Sequence, residues 1–154
     1  MGTTYNRGVN KIRKINHGRK INMDFSSLVL MEKDKETGFI TKELGSFKVS
    51  DGALYVKKLF VLDNTINLYF DTNKDIEEWE YSAIYDVFNY SIFEENKFAI
   101  EDSLDEFNPT FLVKFEYNED YDVVKGRIDK CVALIEESME NAFKDIQGKE
   151  AEYI

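Results

Sequence analysis

The chain is short of the residue types that build most catalytic and metal centres. Its 154 residues include one cysteine, Cys131, and one histidine, His17. A single cysteine excludes an internal disulfide, and a zinc site needs about four nitrogen or sulfur ligands. A serine or cysteine nucleophile is usually activated by histidine, and residues 23–154 contain none. We therefore expect no catalytic residue, no metal and no cofactor, in a protein that is not an enzyme.

Long apolar runs and glycine-rich loops are also missing. No apolar stretch approaches the roughly 18 residues of a membrane span, and the N-terminus lacks the apolar region of a secretion signal. The eight glycines stand singly, so there is no phosphate-binding loop. Asp71, Asn73 and Asp75 match the start of a calcium loop, but Ile76 and Ser82 replace the required Gly and Glu. We expect a cytoplasmic location and a buried, apolar role for Cys131.

Charge is distributed unevenly along the chain. Residues 1–22 hold six cations and no acid, whereas residues 23–154 hold 14 Lys and Arg against 30 Asp and Glu, a net charge of −16. So acidic a segment repels phosphate backbones and anionic lipid headgroups. We therefore expect no nucleic-acid binding through it. The hydrophobic content of 43% is too high for a disordered chain.

The first 22 residues differ from the rest of the chain, and two interpretations of them stay open. They form either a basic, disordered extension that binds something acidic, or a translated leader upstream of a true start at Met23. The second interpretation has a specific observation in its favour. Gly18–Asn22 can be encoded by a purine-rich ribosome-binding sequence, and the residue usage indicates an AT-rich bacterial genome.

We predict one domain over 23–148 and a frayed tail at 149–154.

Alternating apolar and polar residues predict several strands. Residues 25–31 and 110–117 each fit one strand, and Ala53–Thr72 fits a hairpin. Asp51-Gly52, just before that hairpin, suits another tight hairpin turn. Shorter strands are predicted at Phe39–Leu44, Phe47–Val49 and Lys97–Ile100.

Residues 76–93 fit two periodicities. Ile76, Trp79, Ala83 and Val87 recur at helical spacing, but Trp79, Ala83 and Val87 also belong to an alternating run. Helix and strand therefore both stay open for 76–83. Aromatic and β-branched residues favour a strand from Ile84 onward.

The last element has the clearest pattern. Asn118 or Asp120 can cap a helix start, and apolar residues then recur at three- and four-residue steps as far as Ile146. This stripe predicts one long amphipathic helix that covers an apolar sheet. Its members are Val124, Ile128, Cys131, Val132, Ile135, Met139, Ala142, Phe143 and Ile146.

Residues 79–146 resemble a bacterial pleckstrin-homology-like domain. Tyr81-Ser82-Ala83-Ile84, followed by Val87, is similar to the aromatic-polar-polar-Ile signature before the fifth strand of that family. The resemblance implies a barrel closed by a helix. We accordingly predict an α+β fold, either a strongly bent antiparallel sheet or such a barrel, capped by the C-terminal helix. The whole chain also resembles clostridial-type proteins of unknown function, which implies no activity.

Lipid binding is not expected even if that fold is present. Lys33 and Lys35 occupy the loop that binds phosphoinositides in the family, but Asp34 and Glu36 offset their charge.

Aromatic residues are concentrated between positions 79 and 93. They either pack the core or form an exposed patch that binds a partner, since Trp and Tyr are enriched in binding hot spots. The candidate partner-binding residues are Trp79, Tyr81, Tyr85 and Tyr90. We expect a non-enzymatic interaction module, a scaffold or adaptor, whose adjacent sheet edge accepts an extended peptide. The alternative is a small-ligand carrier with a cavity between sheet and helix.

Overall fold

The structure, a computed structural model, describes residues 25–154 and the backbone of Asn10–Ile12. Asn10–Ile12 form a short strand. The rest of the predicted basic extension, residues 1–22, and the proposed start at Met23 lie outside the described residues.

Seven strands and three helices make up the described chain. The strands are β1 (Asn10–Ile12), β2 (Phe25–Lys33), β3 (Ile40–Val49), β4 (Val56–Leu62), β5 (Thr65–Asp71), β6 (Ala99–Asp102) and β7 (Thr110–Glu116). The helices are α1 (Glu78–Val87), α2 (Ser91–Glu95) and α3 (Tyr121–Asp145), and 3-10 turns lie at Asp51–Tyr55 and Glu150–Glu152.

All seven strands belong to one sheet. Its order is β1-β2-β4-β5-β7-β6, and β3 also pairs with β2. Every pairing is antiparallel except the short parallel pairing of Met31–Lys33 in β2 with Phe60–Leu62 in β4. Irregular registers in β2–β3 and β4–β5 mark bulges, which bend and twist a sheet.

The sheet is bent but not closed, because β3 and β6 do not pair with each other among the described strands. The α+β prediction with a bent sheet and a long C-terminal helix is therefore confirmed, whereas the barrel arrangement is not observed. The predicted hairpin within Ala53–Thr72 is confirmed as β4 and β5. The two short strands predicted at 39–49 form one strand, β3.

Asp51-Gly52 does not form a hairpin turn, contrary to our prediction. The two residues begin a 3-10 turn, and β3 and β4 pair with β2 rather than with each other. Gly52 is buried in this turn close to the Val132 carbonyl of α3. Packing against the helix therefore decides the local conformation here.

Residues 76–93 are helical where they are regular, so the strand predicted from Ile84 onward is wrong. Helix α1 starts with a capping box, in which the Glu77 carboxylate accepts from the backbone N–H of Glu80 and the Glu80 carboxylate accepts from that of Glu77. Ala83 and Ile84 face the core. The Tyr81–Ile84 motif thus lies inside a helix.

Helix α3 covers the inner face of the sheet, as its apolar stripe predicts. Ile66, Leu68 and Phe70 of β5 point into the core. From α3, the residues Val124, Ile128, Cys131, Val132, Ile135, Met139 and Ala142 are buried against that core. At the start of α3, Asp120 accepts from the backbone N–H of Asp122 at 2.9 Å, as expected for a cap. Among the described helices, none combines the length and the apolar character needed to cross a bilayer.

Candidate functional site

Three of the four candidate residues, all tyrosines, lie side by side near one end of β6 and β7. Tyr81 and Tyr85 are one turn apart on α1, so they share a face of the helix. Their rings meet edge to face, with centroids 5.5 Å apart. Tyr90 lies between α1 and α2, and its ring centroid is 6.1 Å from that of Phe111.

The hydroxyls of these tyrosines hold the connection between β6 and β7. Tyr81 donates to the backbone carbonyl of Glu106 at 3.0 Å. Tyr85 donates to the carbonyl oxygen of Thr110 at 3.1 Å, and its hydroxyl oxygen lies 2.9 Å from the backbone nitrogen of Thr110 as an acceptor. We call residues 103–109 the braced loop, because hydroxyls from α1 fix its middle and its end.

Tyr90 holds the start of the same connection. Its hydroxyl donates to the carboxylate of Asp102 at 2.5 Å, the short distance of a charge-assisted hydrogen bond. Burial, followed by the hydrogen bond to Asp102, raises the pKa of Tyr90 above its ordinary value of 10.0. Burial also raises the pKa of Tyr85 above that value. Both hydroxyls therefore keep their protons, and so their donor role, at neutral pH.

A stack of phenylalanines supports the tyrosine rings from the core side. Phe111 lies 4.1 Å from Phe88 and 5.0 Å from Phe70, centroid to centroid, and Tyr85 packs 5.2 Å from Phe111. The candidate tyrosines thus have rings against the core and hydroxyls towards the loop. Core packing therefore describes these rings, which are half-buried rather than exposed. Partner binding by the candidate residues stays a prediction.

The braced loop presents two large apolar side chains to solvent. Leu104 is 63% exposed and Phe107 is 80% exposed. Between them lie Asp105, which adopts a positive φ of 70°, and Glu106, so the exposed apolar groups alternate with negative charge. Sequence reasoning did not single out this segment and missed both residues. The available signal was two large apolar residues in an acidic connection that has no strand or helix periodicity.

Trp79 lies apart from the loop, beside the C-terminal tail. Its ring centroid is 6.3 Å from that of Tyr153. The Tyr153 hydroxyl donates to the carboxylate of Asp86 on α1 at 2.7 Å. Residues 149–154, for which we predicted fraying, therefore include a tyrosine that is fixed against α1.

The described surface includes three shallow grooves that no residue of α3 lines. One, of about 290 Å³, follows β6 and β7 and is lined by Ala99, Ile100, Glu101, Leu112 and Lys114. The others lie near the β4–β5 turn and the β2–β3 connection. The cavity between sheet and helix that a ligand carrier requires is not one of these three.

Few groups at the site have the chemistry of a reactive centre. Within the described ranges, no group of three or more His, Cys, Asp or Glu side chains is placed to hold a metal ion. Cys131 is fully buried on α3, and burial raises the pKa of its thiol, as expected for an apolar structural role. What the site offers is a fixed loop with apolar and acidic side chains.

A comparison with models of protein families found a match for this chain. No curated protein and no solved structure matches the chain significantly. The model of the DUF6762 family, described as a family of unknown function, matches residues 23–154. The chain therefore belongs to the DUF6762 family.

Proposed function

We propose that the protein is a non-enzymatic interaction module, a scaffold or adaptor, whose contact surface is centred on the braced loop. The observation that carries this proposal is the exposure of Leu104 and Phe107 on a loop that three tyrosine hydroxyls hold in place. Large apolar side chains fixed in solvent are the usual anchors of a protein interface.

Fixing the loop in advance favours binding. A mobile loop loses conformational entropy when it docks, and this loss is subtracted from the affinity. Here that loss is reduced, because the hydroxyls of Tyr81 and Tyr85 already hold Glu106 and Thr110. In this proposal the candidate tyrosines position the contact residues, and Leu104 and Phe107 make the contact.

The proposal is tested by cross-linking in cells that produce the protein. The variant Leu104→Ala/Phe107→Ala removes the exposed side chains without touching the tyrosine hydrogen bonds. We expect it to lose most of the cross-linked partner signal, since central apolar anchors contribute about 2 kcal/mol or more when truncated.

A matched control is Phe39→Ala. Phe39 is 73% exposed, but it lies in the β2–β3 connection, outside the braced loop. We expect this variant to keep the partner signal of the wild type. Equal cross-linking of the wild type and the loop variant would contradict the proposal.

A further inference from the structure

We infer that the open edge of β6 binds an extended peptide in which lysine or arginine alternates with apolar residues. This inference rests on the proposed function and specifies the chemistry of its partner. The peptide would add a strand to the sheet and end beside the braced loop.

Strand β6 has backbone groups available for such a partner. The Ser103 N–H donates to the Thr110 carbonyl at 2.8 Å, so the backbone of Ser103 faces β7. Successive residues of a strand direct their backbone groups to opposite sides, so Ala99 and Glu101 also face β7. Ile100 and Asp102 therefore direct their N–H and C=O groups away from β7. No described strand pairs along that side.

The edge of the sheet at β3 is different. At β3, the Tyr121 hydroxyl donates to the carbonyl of Ser46 at 2.7 Å, and the Lys125 ammonium donates to the carbonyl of Lys48 at 3.1 Å. Helix α3 thus already occupies carbonyl groups of β3. Of these two edges, the β6 edge is the better site for an added strand.

Charge around β6 selects a basic partner. Residues 86–110 contain seven acids and a single cation, Lys97. The guanidinium of Arg127 is held by the carbonyls of Asn96 and Lys97 and is not directed at the edge. A second copy of this chain would place Glu101 and Asp102 against their own counterparts, and like charges repel. A peptide with Lys or Arg has the complementary charge.

The two faces of β6 are the reason to expect basic and apolar residues to alternate in the peptide. Glu101 is exposed on the side of the 290 Å³ groove, where it contacts Lys114 at 3.3 Å. Both members of this pair are exposed, so the pair is weak and a peptide cation can replace or share it. Ile100, on the opposite face, packs partly against the core. Asp102 shares the face of Ile100, but its carboxylate already accepts from the Tyr90 hydroxyl. An added strand therefore meets the exposed acid Glu101 on one face and, on the other, an apolar residue beside an acid that is already hydrogen-bonded.

The test uses the full chain and a synthetic peptide of four Lys-Val repeats, with four Glu-Val repeats as the comparison peptide. We expect the Lys-Val peptide to bind at least tenfold more tightly by fluorescence anisotropy. Saturation with it should slow hydrogen exchange at the amides of Ile100 and Asp102, since a new ladder protects them. The variant Glu101→Gln/Asp105→Asn should weaken binding about fivefold. The matched variant Glu137→Gln/Glu140→Gln, on α3, should not.

Any of three results overturns the inference. These are equal affinity for the two peptides, binding without protection of Ile100 and Asp102, and no binding at about 1 mM peptide. Its failure is distinguishable from failure of the proposed function. Cross-linking that still depends on Leu104 and Phe107 preserves the interaction module and removes only the basic strand partner.

Discussion

At the scale of single residues, Gly52 and Gly126 form an informative pair. A Cβ atom on Gly52 would lie 2.4 Å from the Val132 carbonyl oxygen, whereas one on Gly126, within α3, would meet nothing within 4 Å. We expect Gly52→Ala to lower the free energy of unfolding by about 1–3 kcal/mol, because the 3-10 turn must move away from α3. Urea unfolding followed by circular dichroism measures this change.

Gly126→Ala is the matched control. It removes a flexible residue from an exposed position of the same helix, so we expect it to raise stability by about 0.5–1 kcal/mol. If both variants were destabilised equally, the contact at Gly52 would not be the cause.

The same scale shows what a sequence reveals about a residue. Burial of Cys131 was predictable, because helical spacing alone places it on the apolar stripe. Exposure of Leu104 and Phe107 was not predictable. It depends on hydroxyls of Tyr81 and Tyr85, whose acceptors lie 25 residues further along the chain. No local pattern encodes such a contact.

At the scale of elements, Arg127 joins α3 to the connection between α2 and β6. Its guanidinium carbon lies 3.9 Å from the Phe98 ring centroid, and its two terminal nitrogens donate to the carbonyls of Asn96 and Lys97 at 3.0 and 2.8 Å. We expect Arg127→Met to lower the free energy of unfolding by about 1.5–3 kcal/mol, since hydrogen bonds from a charged donor and a cation–π contact are lost.

Thermal unfolding of Arg127→Met, compared with that of Lys130→Met, tests the prediction. Lys130 lies on the exposed side of α3 and should tolerate the change within about 0.5 kcal/mol. If Arg127→Met were as stable as Lys130→Met, the contacts of Arg127 would not contribute to the stability of the fold.

Elements differ in how far the sequence specifies them. The 25 residues of α3 carry enough periodic positions to exclude a strand. Helix α1 has ten residues, and its aromatic side chains satisfy both periods. There the Glu77–Glu80 capping box settles the conformation, together with the burial of Ala83 and Ile84 against the core. The resemblance that placed Tyr81–Ile84 before a strand did not include this cap.

At the scale of the whole molecule, the raised pKa values of Tyr85 and Tyr90 predict a loss of stability in alkali. Each keeps its proton in the folded state above pH 10.0, where the unfolded chain begins to release it. Unfolding is therefore favoured as the pH rises above that point, with a slope of at most about 1.4 kcal/mol per pH unit for each tyrosine. Below it, these two groups add no pH dependence.

The variant Tyr85→Phe/Tyr90→Phe tests this predicted direction of the pH dependence. It should be less stable than the wild type near about pH 7, yet its stability should fall less steeply above about pH 10. Urea unfolding at several pH values, with tyrosinate absorbance recorded alongside, supplies both quantities. If the free energy of unfolding fell equally steeply with pH for the two proteins in alkali, Tyr85 and Tyr90 would not be the cause of the loss.

The connectivity of the sheet was beyond the reach of sequence patterns. Alternation identified most of the strands, but β2 pairs in parallel with β4 across only three residue pairs, far apart in the chain. No turn motif specifies that pairing. Both hairpins share one core with α3, whose contact at Gly52 lies between them.

The position of α3 after all seven strands has a consequence for biosynthesis. Translation proceeds from the N-terminus, so the two hairpins leave the ribosome while the helix that covers them is still inside the exit tunnel. Until then, Ile66, Leu68 and Phe70 have no cover and are open to aggregation or to chaperone capture. Pausing late in the message would prolong that interval, whereas fast completion of the last segment would shorten it.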